Sequence, residues 1–490
     1  MTALSFPVEP IRPSLAEMEI ETAWIATKPP KKADLVIVRD HAGALDPQRV
    51  LVVGDRGTGK SYWSATLTNT EGRAHIARRY PRLGLEKTHV SLGFSDATFK
   101  TRHPDAEKLA TLRSQYSADI IWRTVVLDQS PYRPDGMPSE DWTKKVRWVA
   151  DDEDGRSAAF EALDHRLSEN GETYLAVFDA LDRLAASWED IRALTTGLLR
   201  LALDLRSLKR IKIKLFIRPD MADDGKLWAM GDASKLRHNE VKLLWKRRDL
   251  YNLLWMRLAN HSEAGTAFRD EVGKIFYLSF VEEDGVYTPH GDLLENEDVQ
   301  RAVFSAIAGL YMGANARRGR TYDWTPNHLA NASGYATPRS FLIAMREAAK
   351  STKNSSSTIL DVSGIQQGVR QASYIRVDEL KEDYGWIKTA LDPLEGLIVP
   401  ITKDELLGRW LFQKTLEKIK RGTEANQSGR YLPPVELSEE MGEREGLVAL
   451  IQSLLHISVI EELSDDRLNM PDLFRIAAKV KRKGGVKLRP

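Results

Sequence analysis

The chain has 490 residues, 71 Lys and Arg against 70 Asp and Glu, a formal charge of +1, and no cysteine. The missing cysteines exclude disulfides, zinc ribbons, iron–sulfur clusters and a thiol nucleophile. The balanced charge excludes a global pull toward nucleic acid or membrane, so any such contact has to come from a local patch.

Length predicts about three domains. No apolar run approaches the ~18 residues of a membrane span. The opening MTALSFPVEPIRP has no basic stretch of the secretory kind, so a cytoplasmic protein without membrane contact is expected. Residues 1–48 carry Pro7, Pro10, Pro13, Pro29 and Pro30. They predict an extended arm with one short helix over LAEMEIETAWIA, residues 15–26.

Five strands follow, as β-branched or aliphatic runs: Val50–Gly54, Thr88–Phe94, Thr173–Asp179, Ile211–Ile217 and Val241–Leu244. Helical patterns lie between them, at Gly155–Glu169 and Trp188–Leu208, the second with Leu at three- and four-residue spacing. Such alternation predicts right-handed crossovers and a largely parallel sheet covered on both faces. After about residue 246 the alternation stops. Asp249–His261, Val299–Gly313 and Pro338–Lys350 read as helices, and the polar run KSTKNSSST at Lys350–Thr358 marks a boundary. Near the end, Glu443–Ile457 reads as a helix and residues 457–474 as two short strands around Asp465-Asp466. The expected organisation is an arm (1–48), an α/β core (49–245), a helical lid (246–350) and a C-terminal helical, winged-helix-like domain (351–490).

Gly54-Asp55-Arg56-Gly57-Thr58-Gly59-Lys60-Ser61 fits G-x-x-x-x-G-K-[ST], with a buried strand before it and a helix-compatible run after it. The glycines let successive N–H groups face phosphate oxygens, and the helix N-terminus adds its positive end. Lys60 would reach the β- and γ-phosphates, and the Ser61 hydroxyl would ligate Mg²⁺. The run TYLAVFDALDRL puts Asp179 at a strand end and Asp182 three residues on. Asp179 would hold the Mg²⁺, and Asp182 would polarise the attacking water. The plainer reading of the same pair is a helix N-cap and a surface acid.

A phosphate loop followed by an apolar strand ending D-x-x-D resembles the additional-strand P-loop ATPases. The Asp-Ala-Leu-Asp-Arg form is similar to the NACHT and KAP branches of the STAND and AAA+-like ATPases. The resemblance covers about residues 45–350. It implies ATP and Mg²⁺ as cofactors, ATP hydrolysis, and an α/β P-loop NTPase with a parallel five-stranded sheet of order 5-1-4-3-2. One departure is the 119 residues that separate Lys60 from Asp179; this predicts an insertion within residues 95–170, including PYRPDGMPSEDW.

The fourth strand ends in Arg218-Pro219, similar to the sensor position of STAND-like ATPases, where an Arg feels the γ-phosphate. The alternative is a loop Arg paired with Asp220, Asp223 or Asp224. GYATPRSFLIAMREA resembles the lid-helix start that carries a second sensor, here Arg339; its alternative is a solvated first-turn residue. Arg237, Arg247, Arg248 and Arg257 follow the fourth strand, where cations acting on a neighbouring subunit occur; facing solvent is the bland alternative for each. His103, His165, His238, His290 and His328 show no metal-type spacing.

The C-terminal helix carries few groove-reading side chains beyond Arg444 and Gln452, and the wing tip is acidic. That charge favours a protein-interaction or packing module over a DNA reader. The basic tail, with Lys479, Lys481, Arg482, Lys483, Lys487 and Arg489, keeps nucleic acid open as a partner. The expected function is an ATP-driven switch that controls self-assembly into a homo-oligomer or a separate effector protein, which the STAND resemblance extends to antiviral defence. The alternative is a DNA-acting ATPase, a loader or remodeller.

Overall fold

The computed structural model describes residues 6–21, 28–96, 102–424 and 431–484. Helical turns over Val8–Ala16 (α1) open the described chain. The helix expected over 15–26 therefore lies too late: residues 17–21 are not helical, and residues 22–27 lie outside the described residues. Phe6, Ile11 and Leu15 are buried against later helices, each worth about 2 kcal/mol. That burial outweighs the proline signal, so the arm docks instead of extending.

The central strands are Leu51–Val53 (β1), Thr88–Phe94 (β2), Thr173–Phe178 (β3), Ile211–Ile217 (β4) and Val241–Lys242 (β5). They pair in the order β2-β3-β4-β1-β5, all parallel. Read from the other edge this is 5-1-4-3-2, and with the phosphate loop leaving β1 the chain is an α/β P-loop NTPase followed by helices. Alternation builds the two covered faces. Leu51, Val53, Ala176, Phe178, Ile213 and Leu215 enter one core, while Val52, Leu175, Val177 and Phe216 enter the other.

Helix Lys60–Thr68 (α2) leaves the phosphate loop. Among the described residues four helices lie between β2 and β3 in the chain: Ala106–Arg113, Ala118–Asp128, Trp142–Asp151 and Glu153–Glu169. Trp188–Asp204 (α3) starts at the Ser187 cap, which accepts from Asp190 N–H at 3.1 Å. Beyond the sheet come Arg247–Ala259 (α4), Pro338–Ser351 (α5) and Val362–Asp383 (α6). An antiparallel hairpin, Phe280–Glu283 (β6) with Val286–Pro289 (β7), sits in a stretch read as helical only. Its signal was Asp284-Gly285, where both residues take positive φ in the turn.

Glu443–His456 (α7) is followed by the antiparallel pair Glu461–Glu462 and Leu468–Asn469, as the pattern predicts. The basic tail is partly used by the fold: Lys481 and Arg482 pair in parallel with Ile398 and Val399. Lys487 and Arg489 lie outside the described residues. One apolar cluster runs from Phe6 through α4, α5 and α6 to Val480 and crosses residue 351 without a break. No helix among the described residues is long and apolar enough to cross a membrane.

α5 and α6 cross with little separation. A Cβ on Gly368 would meet Ala344 O at 2.2 Å, and one on Gly364 would meet Ala348 O at 2.6 Å. Glycine is thus required at both positions. The pair is antiparallel, so the N-terminus of α5 and the C-terminus of α6 reach the phosphate loop together.

Candidate functional site

The loop is shaped by three glycines. A Cβ on Gly54 would meet Thr58 Oγ1 at 2.5 Å, while Gly57 and Gly59 take φ of 79° and 109°. Thr58 Oγ1 donates to Asp55 O at 2.8 Å, and Trp245 Nε1 donates to Thr58 O at 2.8 Å. α2 begins at Lys60, whose Nζ donates to Gly54 O at 2.6 Å and Asp55 O at 3.1 Å. Burial pushes the Lys60 ammonium down, and Asp179, Asp383 and Asp182 pull it back. The Asp55 carboxylate turns toward the loop before α5, accepting from Asn331 Nδ2 at 2.9 Å, and burial pushes it up. Arg56 reaches α6 instead, pairing with Glu382 and Asp383.

β3 delivers the acids. Asp179 accepts from Ala180 N–H at 2.9 Å and from the Ser61 side chain, and burial raises its carboxyl. Ala180 takes φ of 55°, a left-handed step that turns the chain into the short helix Leu181–Arg183. Asp182 then meets Arg218, with Nη1 to Oδ2 at 2.9 Å. Burial pushes the Asp182 carboxyl up, but Arg218, Arg183 and Lys60 outweigh it and hold the group below its ordinary value.

Arg218 is 4% exposed. It is the partner of Asp220, as the loop alternative had it (Nε to Oδ1, 3.0 Å), yet it is buried and also holds Asp182. Its guanidinium lies 4.3 Å from the centre of the Tyr384 ring.

Arg339, in the first turn of α5, faces Glu379 of α6 (Nη1 to Oε1, 3.4 Å). It is largely buried, so the solvated alternative does not hold. Gly57 lies against it: a Cβ there would stand 3.5 Å from Arg339 Cβ. Lys60, Ser61, Asp179, Asp182, Arg218 and Arg339 therefore line one cleft of about 570 Å³.

Of the four cations after β4, only Arg257 lines this cleft, paired with Asp34 at 2.8 Å. Arg247 bonds Asp323 and Asn327, both at 3.0 Å, Arg248 stands 3.6 Å from Asp249, and Arg237 covers the Trp228 ring. Three groups escaped the sequence reading. The acids of α6 come from more than 300 residues away with no local motif. Arg183 had a signal, its place beside Asp182. His41 had none: it accepts from Trp63 Nε1 at Nδ1 (3.1 Å), so Nε2 carries the proton toward Leu244 O (3.0 Å).

The donor set fits a hard divalent cation with a triphosphate. Ser61 hydroxyl and Asp179 carboxylate are adjacent oxygens, and magnesium commonly takes one or two protein oxygens beside phosphates and waters. Among the described residues there is no group of three or more His, Asp or Glu side chains placed to hold a metal. A second cleft of about 380 Å³, lined by Trp245, Arg247, Asn331 and Arg482, lies between α4 and the C-terminal residues.

Among solved structures the chain is similar to the ORC2 protein of Aeropyrum pernix in its ADPNP–ADP complexes, with TM-score 0.37 and 14% identity over 88% of this chain and 86% of that one. It is similar to the ORC1 protein of Aeropyrum pernix in complex with DNA, with TM-score 0.35 and 13% identity over 96% and 95%. The ADP form of ORC2 follows, with TM-score 0.32 and 12% identity over 94% of both chains. No protein-family model matches the chain, and no curated protein matches it.

Proposed function

We propose that the protein is an ATP-hydrolysing switch of the AAA+ and STAND type, controlling assembly of its own copies or a separate effector. The observation that carries this is the convergence of the glycine loop, Lys60, Ser61, Asp179, Asp182 and the first turn of α5 on one cleft. The loop amides and Lys60 bind the triphosphate. Ser61 and Asp179 would hold Mg²⁺, which when bound neutralises charge on the β- and γ-phosphates. Tyr62, Leu253 and Leu342 line the same cleft and offer an apolar wall to the base.

Asp182, ionised and held by Arg218, is a weak base but a good hydrogen-bond acceptor, and its role is to orient the attacking water. Arg339 reports the γ-phosphate to α5. The resemblance of the Asp-Ala-Leu-Asp-Arg segment to STAND ATPases extends the proposal to antiviral defence.

The winged-helix-like order of α7 and its hairpin favours a second reading, a DNA-acting ATPase. The charges oppose it. Arg444 stands 3.2 Å from Asp404, Arg467 stands 2.6 Å from Asp465, and Lys479 stands 3.2 Å from Glu395.

The test is direct. Lys60→Ala loses nucleotide binding and turnover, and Asp182→Asn keeps binding and loses turnover. Normal hydrolysis by the Lys60 variant discards the site. Hydrolysis stimulated by DNA, with a steep loss at high salt, moves the assignment to the second reading.

A further inference from the structure

The C-terminal end of α6 brings three carboxylates into the nucleotide cleft. Glu379 faces Arg339 at 3.4 Å. Glu382 and Asp383 both grip Arg56, and Asp383 stands 3.7 Å from Arg183. The Asp383 carbonyl accepts from Arg218 Nη1 at 3.4 Å. Asp383 is no surface acid: its side chain is 11% exposed, against 19% for Arg56.

This placement runs against helix electrostatics. The last turn of a helix is the negative end of its dipole, and carboxylates there are unfavourable. What holds them is a set of guanidinium groups in the cleft that also contains Lys60 and Ser61. Guanidinium forks bind carboxylate and phosphate by the same paired geometry. A triphosphate on the loop therefore meets arginines that already have anionic partners.

We propose that Glu379, Glu382 and Asp383 are an internal competitor for the triphosphate, holding Arg339, Arg56 and Arg183 until a bound nucleotide takes them and frees the end of α6. The proposal rests on the reading that this cleft binds ATP. The freed end has somewhere to send the signal. Ser373, midway along α6, donates to Leu473 O at 2.5 Å. Tyr384, directly after α6, covers Arg218. Loss of the acid contacts thus shifts both the sensor Arg218 and the C-terminal residues packed on α6.

The test uses the full chain, Mg²⁺ and the β,γ-imido analogue of ATP in calorimetric titrations. Asp383→Asn binds the analogue roughly tenfold more tightly than the native chain, the size of a typical coupling. Glu382→Gln gives a smaller gain. Its side chain is 64% exposed, so that variant reports even where Asp383→Asn does not fold. A companion measurement places labels at Glu71 and Lys381, both exposed. The chain has no cysteine of its own, so Glu71→Cys with Lys381→Cys labels cleanly, and the analogue lengthens the distance between them.

Binding that depends on Lys60 but is unchanged in both acid variants, with a fixed label distance, overturns the competitor and leaves the ATP site standing. Native chain that shows no Lys60-dependent binding overturns the ATP site and the competitor with it.

Discussion

His41 ties the acid response of this protein to its phosphate loop. The ring is fully buried. It stands edge-on to Trp63 of α2 and to Trp245, whose Nε1 in turn holds Thr58 O. Nδ1 accepts from Trp63, so a proton added there faces an N–H. Burial is the main cause that takes His41 down to about 4, with Leu244 O and Asp40 opposing. The folded state thus releases the proton that an unfolded His keeps up to pH ~6.5. Below that value the unfolded chain binds more protons, so stability falls with pH and levels off below about 4. From pH 7.5 to pH 5 the loss is about 2 kcal/mol, from a shift worth 1.36 kcal/mol per unit. The comparison is His41→Gln, whose amide can accept from Trp63 and donate to Leu244 O without titrating. Urea unfolding of both proteins at several pH values gives the two curves. Native chain should lose about 2 kcal/mol more than the variant over that interval. Parallel curves would refute the buried neutral ring.

Lys214 makes a test of the same sign at alkaline pH. It is fully buried, donates to Asp46 O at 2.9 Å and Arg49 O at 2.6 Å, and burial takes it down to about 7. Between pH 7 and 9 the unfolded chain binds more protons, so stability rises by about 2 kcal/mol; Lys214→Met removes that rise, read by thermal unfolding at each pH. Arg12 donates to four carbonyls, Lys353, Ser356, Thr358 and Ile359. Arg12→Met strands buried acceptors and costs about 3 kcal/mol, with faster proteolysis at 353–358 as the local readout; an unchanged cleavage pattern contradicts the tether.

The legible parts of this molecule are those whose physics is local. The runs Thr88–Phe94 and Ile211–Ile217 are strands to the residue; the second is buried on both faces, and such a strand needs no partner to announce itself. The phosphate loop is contiguous, so its glycines and Lys60 could be read as one unit. Arg12 shows the opposite case. From the sequence, Lys350–Thr358 is a polar linker, and only a guanidinium from 341 to 346 residues upstream turns its carbonyls into an anchored loop. The arm misled for a related reason: prolines report backbone restriction, whereas Phe6 and Ile11 dock because of a core built by α4 and α5. Arg218 was read as either a sensor or one half of a surface pair. The surface pair does not hold, because Arg218 is buried and shared by Asp182 and Asp220, and such sharing is invisible before the fold closes.

The crossing of α5 and α6 gives the cleft its mechanical meaning. Close approach at Gly364 and Gly368 sets the α6 backbone against Ala344 O and Ala348 O of α5, and such tight packing opposes sliding of one helix along the other. Arg339 at the start of α5 and Asp383 at the end of α6 reach the phosphate loop from the same helix pair. A phosphate that attracts Arg339 also repels Glu379 and Asp383 beside it. Under the proposed competition, attraction at the start of α5 and repulsion at the end of α6 act in opposite senses on the pair. A displacement of α6 in that competition would reach the C-terminal residues, because α6 rests on Leu473 and the residues that follow α7.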